Sequence, residues 1–330
     1  MSDDDARYMA RAVALGDTVR AAASPNPWVG AVLVARDGRV FEGATHPPGG
    51  PHAEAVALRS AGDAAEGATL YVTLEPCPHR GRTPPCADAV VDAGVARVVV
   101  AVADPDAKVA GGGLARLRQA GIEVEVGLGA PEVERQLAPY LKHRATGRPW
   151  VVLKLAATLD GRIAAPDGSS RWITGEEARA DAHRLRAESD AVLVGAGTVR
   201  ADDPSLTVRL VPGRDPARVV LGHVPERAQV RPALEVSGDL GEVLADLGRR
   251  GVVQLLVEGG ATVAHGFHAA DLVDRYVLYL APALLGGDDG RPLFAGPGAP
   301  TMAEAWRGRL VGVTHLGGDL RVELAPAGRG

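Results

Sequence analysis

The sequence predicts an α/β protein of two three-layer domains, residues 1–146 and 147–330. Three observations predict it. Apolar, β-branched runs alternate with segments of helical apolar spacing, the pattern of sheets covered by helices. The 330 residues exceed the commonest domain size, and the alternation pauses at the polar, turn-rich Arg144-Ala145-Thr146-Gly147-Arg148-Pro149. Aromatics are only 4% of a chain that is 46% apolar, so its cores must come from Ala, Val and Leu on strands and helix faces.

In chain order, residues 6–22 carry apolar positions at helical spacing and read as an opening helix, broken by Ser24-Pro25-Asn26-Pro27. Trp28 to Val34 and Val40 to Gly43 read as strands around the turn Asp37-Gly38. A helix over 53–60, a strand from Ala68 to Leu74, a helix over 86–93 and a strand from Ala96 to Val102 follow, then a helix over 114–120 and a strand over 122–126. After the pause, strands are expected over 150–157, 190–195, 217–221, 252–258 and 274–281, helices over 176–188, 240–249 and 261–270, and a terminal hairpin over 309–326. Asp160-Gly161 reads as a hairpin turn.

A net charge of −5 and few aromatics give neither a field nor a stacking surface for nucleic acid. No apolar run reaches the roughly 18 residues of a membrane span. Met1-Ser2-Asp3-Asp4-Asp5 is acidic where a signal peptide is basic. Two cysteines, Cys77 and Cys86, are too few for a disulfide framework. The expectation is a cytoplasmic protein with neither nucleic acid nor membrane as partner.

His52-Ala53-Glu54 falls where a loop enters a helix, Pro76-Cys77 follows the strand ending at Leu74, and Cys86 opens the next helix. One imidazole and two thiolates make a three-ligand zinc set whose fourth position stays open to water, the mark of a catalytic ion. Water there becomes acidic enough to react near neutral pH. Glu54, two residues after the ligand, can reach that water without filling a coordination site, and would carry protons to the ring nitrogen and the departing amine. H-x-E, then P-C and a second Cys, is the arrangement of zinc deaminases. The rival readings are a Cys77–Cys86 disulfide, a non-enzymatic zinc module and a nucleic-acid deaminase. A reducing compartment opposes the first, and the acidic balance opposes the last. Eight residues separate the cysteines, Pro78-His79-Arg80-Gly81-Arg82-Thr83-Pro84-Pro85. Arg80 and Arg82 suit a substrate phosphate, or else are solvated loop charges.

In the second half, Val252 to Val257 reads as a buried strand running into Glu258-Gly259-Gly260-Ala261-Thr262 and a helix. Strand, glycine turn and helix N-terminus make an anion site from free backbone N–H groups. No G-x-G-x-x-G follows the strand at 150–157, which argues against an ordinary Rossmann dehydrogenase. Arg186 and Arg209 are candidates for gripping a phosphate, or are ordinary surface charge. Glu258 stands at a strand's C-terminal end, where α/β folds place ligands, or caps the helix that follows.

Longer motifs run in order through both halves. They are Pro25-Asn26-Pro27-Trp28-Val29-Gly30, His46 ahead of His52-Ala53-Glu54, Glu75 to Cys86, and Asp104-Pro105 with Val109-Ala110-Gly111. Lys154-Leu155-Ala156, Leu159 to Ala164, Trp172-Ile173-Thr174-Gly175, Asp181 with His183, Leu185-Arg186-Ala187, Gly195 to Val199, Asp202 to Arg209 and Val257 to Thr262 follow. Over nearly the whole chain they resemble the bifunctional RibD family of riboflavin biosynthesis. The resemblance implies a cytidine-deaminase-like N-terminal domain and a dihydrofolate-reductase-like C-terminal domain. It implies zinc-dependent deamination of 2,5-diamino-6-ribosylamino-4(3H)-pyrimidinone 5′-phosphate, then NADPH reduction of the ribosyl chain to ribityl.

Carried over residue by residue, the resemblance keeps His52, Cys77 and Cys86 on zinc and Glu54 as the catalytic residue. Asn26 and His46 fall to the pyrimidine, and His79 and Arg82 to the pocket near the phosphate. Ser170, Arg186, Leu206, Arg209 and Glu258 match reductase substrate positions. Ala156, Trp172, Thr198, Asp202 and the run Gly260, Ala261, Thr262, Val263, Ala264, His265 and Gly266 match NADPH positions. The expected cofactors are Zn2+ and NADPH, the partner a phosphorylated pyrimidine, and the assembly a homo-oligomer. In two places the chain departs from the family pattern. Gly222-His223 replace an acidic and a small polar residue after Arg218-Val219-Val220-Leu221, and the segment 224–240 looks short enough to lack a strand. In the first half, Asp106 stands where an Asn is often found, and Lys108 precedes Val109. The first departure motivates an alternative, a deaminase whose C-terminal half is a non-catalytic ligand-binding or regulatory domain.

Overall fold

A computed structural model describes residues 3–79 and 84–327. The chain divides into two compact units, with the division between Gly147 and Arg148.

The first unit opens with α1 (Asp3–Thr18) and α2 (Arg20–Ala23). Three acidic residues in the first turn of α1 oppose the helix dipole favourably, and Met9 and Ala12 face inward. Strands β1 (Gly30–Val34) and β2 (Val40–Ala44) form the expected hairpin. Then come α3 (Ala53–Ala61), β3 (Thr69–Leu74), α4 (Cys86–Asp92), β4 (Arg97–Val102), α5 (Gly112–Gln119) and β5 (Glu123–Val126). Among the described residues they make a five-stranded sheet ordered β2-β1-β3-β4-β5, antiparallel at β1 and parallel from β3 onward. Val98 to Ala101 of β4 are all buried, as parallel strands covered on both faces require.

The unit closes with a helix that the sequence reading leaves unassigned, α6 (Ala130–Thr146). Pro139 lies inside it, and its buried face mixes Val133, Leu137 and Tyr140 with Gln136 and His143, so polar residues blur the apolar stripe. The anticipated pause is therefore partly helical. Arg144, Ala145 and Thr146 are the last turn of α6, and the Gly147 N–H closes it on the His143 carbonyl.

In the second unit, β6 (Trp150–Thr158) and β7 (Arg162–Ala164) precede α7 (Glu176–Ala187), β8 (Ala191–Gly195), α8 (Ala196–Asp202) and β9 (Ala217–Leu221). Next are β10 (Leu234–Val236), α9 (Leu240–Arg249), β11 (Gln254–Val257), α10 (Ala261–Ala269) and β12 (Arg275–Ala281). The last elements are β13 (Arg291–Pro292) and the terminal hairpin, β14 (Gly308–Leu316) with β15 (Asp319–Pro326). Among the described residues the main sheet has eight strands, ordered β10-β9-β8-β11-β6-β12-β15-β14.

Three expectations are corrected. The segment 224–240 keeps a strand, β10, which pairs in parallel with β9. Helix α8 is an addition, too short and too rich in small residues to show a period. The turn at Asp160-Gly161 does not return β7 onto β6; β7 pairs with β13 instead, because Asp160 Oδ2 accepts from the Gly286 N–H and draws in the chain that leads to β13.

Topology fixes where a ligand can sit in this unit. Strands β8 and β11 are parallel neighbours, yet α8 leads outward to β9 while α10 leads past β6 to β12. Connections that leave adjacent strands in opposite directions open a crevice at the strands' C-terminal ends.

Candidate functional site

Backbone geometry assembles the first site. His52 is the residue that leads into α3, and Glu54 lies in the first turn, 4% exposed. Cys77 follows β3, and Cys86 is the first residue of α4. The Cys77 carbonyl accepts from the Ala87 N–H at 3.1 Å, and the Cys77 sulfur from the Cys86 N–H at 3.4 Å, so the loop folds back on the helix start. Buried Glu75 clamps this corner, its carboxylate accepting from the backbone N–H groups of Asp104, Gly111, Gly113 and Leu114. Gly113 is required there: a Cβ on it would stand 1.9 Å from the Pro76 carbonyl oxygen.

The three donors converge. His52 Nδ1 lies 3.7 Å from Cys77 Sγ and 3.4 Å from Cys86 Sγ. A tetrahedral ion bonded at about 2.0 Å to nitrogen and about 2.3 Å to sulfur holds such atoms about 3.6 Å apart, so the set fits zinc. The electrostatics ask for a cation too. Hydrogen bonding with Cys86 holds the Cys77 thiol down at about 4, while that bond and burial push the Cys86 thiol up. One negative charge is thus tolerated and a second is not, until a divalent ion accepts both thiolates. Burial pushes the Glu54 carboxyl up to about 7, against the pull of His52.

A cavity of about 470 Å³ opens over this cluster. Asn26, His79, Glu54, His52 and Cys77 line it, and so does the departure residue Asp106. His46 is not among its lining residues; it is exposed, and its backbone N–H bonds to the Pro51 carbonyl. Arg80 and Arg82 lie outside the described residues. The sequence reading missed Tyr140 and Arg144, which reach the cavity from α6, and gave no role to Asp104. Tyr140 donates to Asp104 Oδ2 at 3.0 Å, and burial raises the Asp104 carboxyl.

The second unit gathers a charged cluster at the end of β11. Arg186 on α7 meets Glu258 in a bidentate pair, at 2.5 and 2.8 Å, and its third nitrogen donates to the Thr207 carbonyl at 3.1 Å. Burial alone would raise the Glu258 carboxyl; the Arg186 charge and hydrogen bonds, with Lys154 and His183, outweigh it and hold the group at about 2. His183 Nδ1 accepts from the Arg209 backbone N–H at 2.9 Å. The Arg209 side chain is exposed, its Nη1 bonded to Thr207 Oγ1 at 2.7 Å. Lys154 was quoted in the motif but given no role. A lysine in the apolar run Val151-Val152-Leu153-Lys154-Leu155 was the available signal.

Leu206 is 3% exposed and packs in the core at φ +54°, so its side chain is turned away from any ligand. Ser170 and Trp172 line a separate cavity of about 220 Å³ with Arg162 and Leu285. Trp172 is 71% exposed.

The residues expected to bind the cofactor are spread over β6, α8 and α10. Gly260 precedes α10, and its N–H donates to Thr198 Oγ1 at 3.2 Å, tying α8 to α10. Ala261, Thr262 and Val263 form the first turn of α10, which holds no acidic residue, so its free amides fit the phosphates of a dinucleotide. Farther along, Ala264 is sealed in the core, His265 packs on Gly296, and Gly266 faces Leu240. Ala156 packs against the core from β6, and the Asp202 carbonyl holds Arg171. Gly222 sits at φ +108°, a backbone an acidic residue would adopt only with strain, and His223 pairs with Glu235 at 2.9 Å.

Residues 2–102 match the cytidine and deoxycytidylate deaminase zinc-binding region, and residues 149–322 match the RibD C-terminal domain. The riboflavin biosynthesis protein RibD of Escherichia coli (strain K12) is 41% identical over 367 residues, covering 98% of this chain and 100% of that protein. RibD of Mycobacterium tuberculosis is 45% identical over 321 residues, covering 93% of each. Among solved structures, Acinetobacter baumannii RibD superposes with a TM-score of 0.92 at 40% identity, over 98% of this chain and 99% of that one. A diaminohydroxyphosphoribosylaminopyrimidine deaminase/5-amino-6-(5-phosphoribosylamino)uracil reductase of Thermotoga maritima gives 0.87 at 35% identity, with the same coverage.

Proposed function

The chain belongs to the RibD family of riboflavin biosynthesis proteins, and from that premise we propose how its two sites divide the work. It is a bifunctional enzyme, a zinc-dependent deaminase fused to an NADPH-dependent reductase. The deaminase occupies residues 1–146 and the reductase 147–330.

The convergence of His52, Cys77 and Cys86 beside a buried carboxylate carries the reading of the first site. Those three residues hold the zinc, which supplies Lewis acidity that makes water reactive near neutral pH. Glu54 takes a proton from the attacking water and returns it to the amino nitrogen that leaves as ammonia. Asn26 and His79 hold the substrate in the cavity, a phosphorylated diaminopyrimidine.

In the reductase, NADPH supplies the hydride. Thr198, Gly260 and the first turn of α10 hold its phosphates, and Trp172 borders its site. Arg186, Arg209 and Glu258 orient the ribosyl phosphate of the deaminated product, with Lys154 adding positive charge beside Glu258.

Among the described residues, no helix is long and apolar enough to cross a membrane. We place the enzyme in the cytoplasm, where free Cys77 and Cys86 stay reduced. A homo-oligomer is supported by β14, the outermost strand of its sheet, which exposes Leu310, Val311 and Val313. Equilibrium sedimentation tests it.

Incubating zinc-loaded protein with the phosphorylated diaminopyrimidine should release ammonia, and NADPH should then be consumed in step with the deaminated product. No ammonia from zinc-replete protein refutes the first assignment. No NADPH oxidation with authentic deaminated product refutes the second.

A further inference from the structure

Arg144 is a feature of the deaminase cavity that the zinc chemistry leaves without a task. It stands on α6 one turn after Tyr140, and both line the cavity that holds Glu54 and Cys77. It is the one guanidinium among the described lining residues, in a wall that also presents Glu54, Glu75, Asp104 and Asp106. Two of those carboxylates are already satisfied. Glu75 accepts from four backbone N–H groups, and Asp104 from Tyr140 and the Asp106 N–H.

The guanidinium is positioned without being saturated. The Tyr140 ring centre lies 4.9 Å from its carbon, and the Pro25 carbonyl 3.5 Å from Nη2. Asp106 Oδ2 lies 3.4 Å from Nε, yet among the described residues buried Nε makes no hydrogen bond. A residue that merely neutralised Asp106 would close on it as Arg186 closes on Glu258, at 2.5 and 2.8 Å. This one is steered by a ring, a carbonyl and a distant carboxylate, leaving hydrogen-bonding capacity for a ligand. A neutral pyrimidine offers a guanidinium no counter-charge, whereas a phosphate matches its planar fork.

We propose that Arg144 binds the phosphate of the deaminase substrate, with Tyr140 and Asp106 holding its guanidinium at the cavity wall. This rests on the reading above that the substrate is a phosphorylated pyrimidine. Arg144 is a binding residue, so its loss acts on KM and spares kcat.

The test is steady-state deamination by the full-length enzyme and its Arg144→Met, Arg144→Lys, Asp106→Asn and Arg144→Met/Asp106→Asn variants. Each is assayed with the phosphorylated substrate and with its dephosphorylated counterpart. Arg144→Met should raise KM about 10- to 100-fold for the phosphorylated substrate, the worth of a charge-assisted contact. The kcat, and the KM for the dephosphorylated compound, should stay within about twofold. Arg144→Lys should recover part of the loss, and the double variant should remain as weak as Arg144→Met. Equal losses on both substrates, or a KM restored in the double variant, overturn the proposal; restoration would mean that Arg144 serves only to neutralise Asp106. A wild-type enzyme that deaminates only the dephosphorylated compound refutes the substrate reading itself. Wild-type preference for the phosphorylated compound with an unaltered Arg144→Met refutes the Arg144 assignment alone.

Discussion

The two sites handle charge in opposite ways. At the start of α3 and α4, an imidazole and two thiols converge with no cation of the chain among the three donors, and Cys86 is pushed up while Cys77 is pulled down. At the end of β11, Glu258 already has its counter-ion in Arg186, with Lys154 contributing to the same field. The first arrangement becomes coherent when a divalent ion arrives. The second is coherent alone, and a substrate phosphate must enter a field already organised by protein charges. Chemistry at the first site therefore rests on a few groups around a metal, whereas at the second it rests on a network that also holds the unit together.

The sharpest way to break this comparison is Glu54→Gln. It keeps shape and removes the proton carrier, so ammonia release should fall by about 10²- to 10⁴-fold, the usual worth of a general acid–base group. Zinc content measured by atomic emission should stay at wild-type level, and NADPH oxidation of the deaminated product should be unchanged. Ammonia release within tenfold of wild type would show that another group moves the proton.

Glu258→Gln probes the other side. Removing one partner of a buried pair leaves the Arg186 charge uncompensated, which costs about 3–5 kcal/mol. The full-length protein should lose that much in urea unfolding, together with NADPH oxidation, while ammonia release persists below the transition. A loss under about 1 kcal/mol would mean that the pair serves substrate alone, and the contrast with the metal site would narrow.

The same contrast explains what the sequence revealed. Metal ligation restricts residue types so tightly that His52, Glu54, Cys77 and Cys86 stand out in a chain with two cysteines. The alternation of strands and helices was legible because the parallel strands are buried on both faces, as in Val98 to Ala101 and Gln254 to Val257. Helix α6 was not, because Pro139 reads as a helix breaker in sequence and Gln136 and His143 share its buried face. Tyr140 and Arg144 were lost with it, although Val133, Leu137 and Tyr140 keep a helical spacing that could have exposed them. Clusters joined over long separations, such as Glu75 with Gly113 or Arg186 with Glu258, have no local pattern to read. Polar residues at element ends also look alike in sequence: His46 and Asn26 both fit the pyrimidine by motif, yet only Asn26 lines the cavity.

The smallest expected effect concerns acid stability, and it follows from His183. The ring is 7% exposed, and its Nδ1 must remain unprotonated to accept from the Arg209 N–H. Burial, reinforced by the positive charges of Arg186 and Arg209, holds its pKa down at about 4, against about 6.5 in an unfolded chain. Between these values the unfolded chain binds a proton that the folded protein refuses. Stability from this group is therefore full above about pH 6.5 and drains away as pH falls toward 4. Full-length wild type and His183→Asn, whose amide oxygen can still accept from the Arg209 N–H, should be compared by chemical denaturation across pH 4–7.5. The wild type should lose stability relative to the variant as pH drops through this window, with the difference between them constant above about pH 7. Parallel curves would mean that His183 already titrates near its unfolded value. The cationic surroundings of Glu258 would then be weaker than the bidentate pair implies, and the second site would lie closer to the first in its need for a ligand's charge.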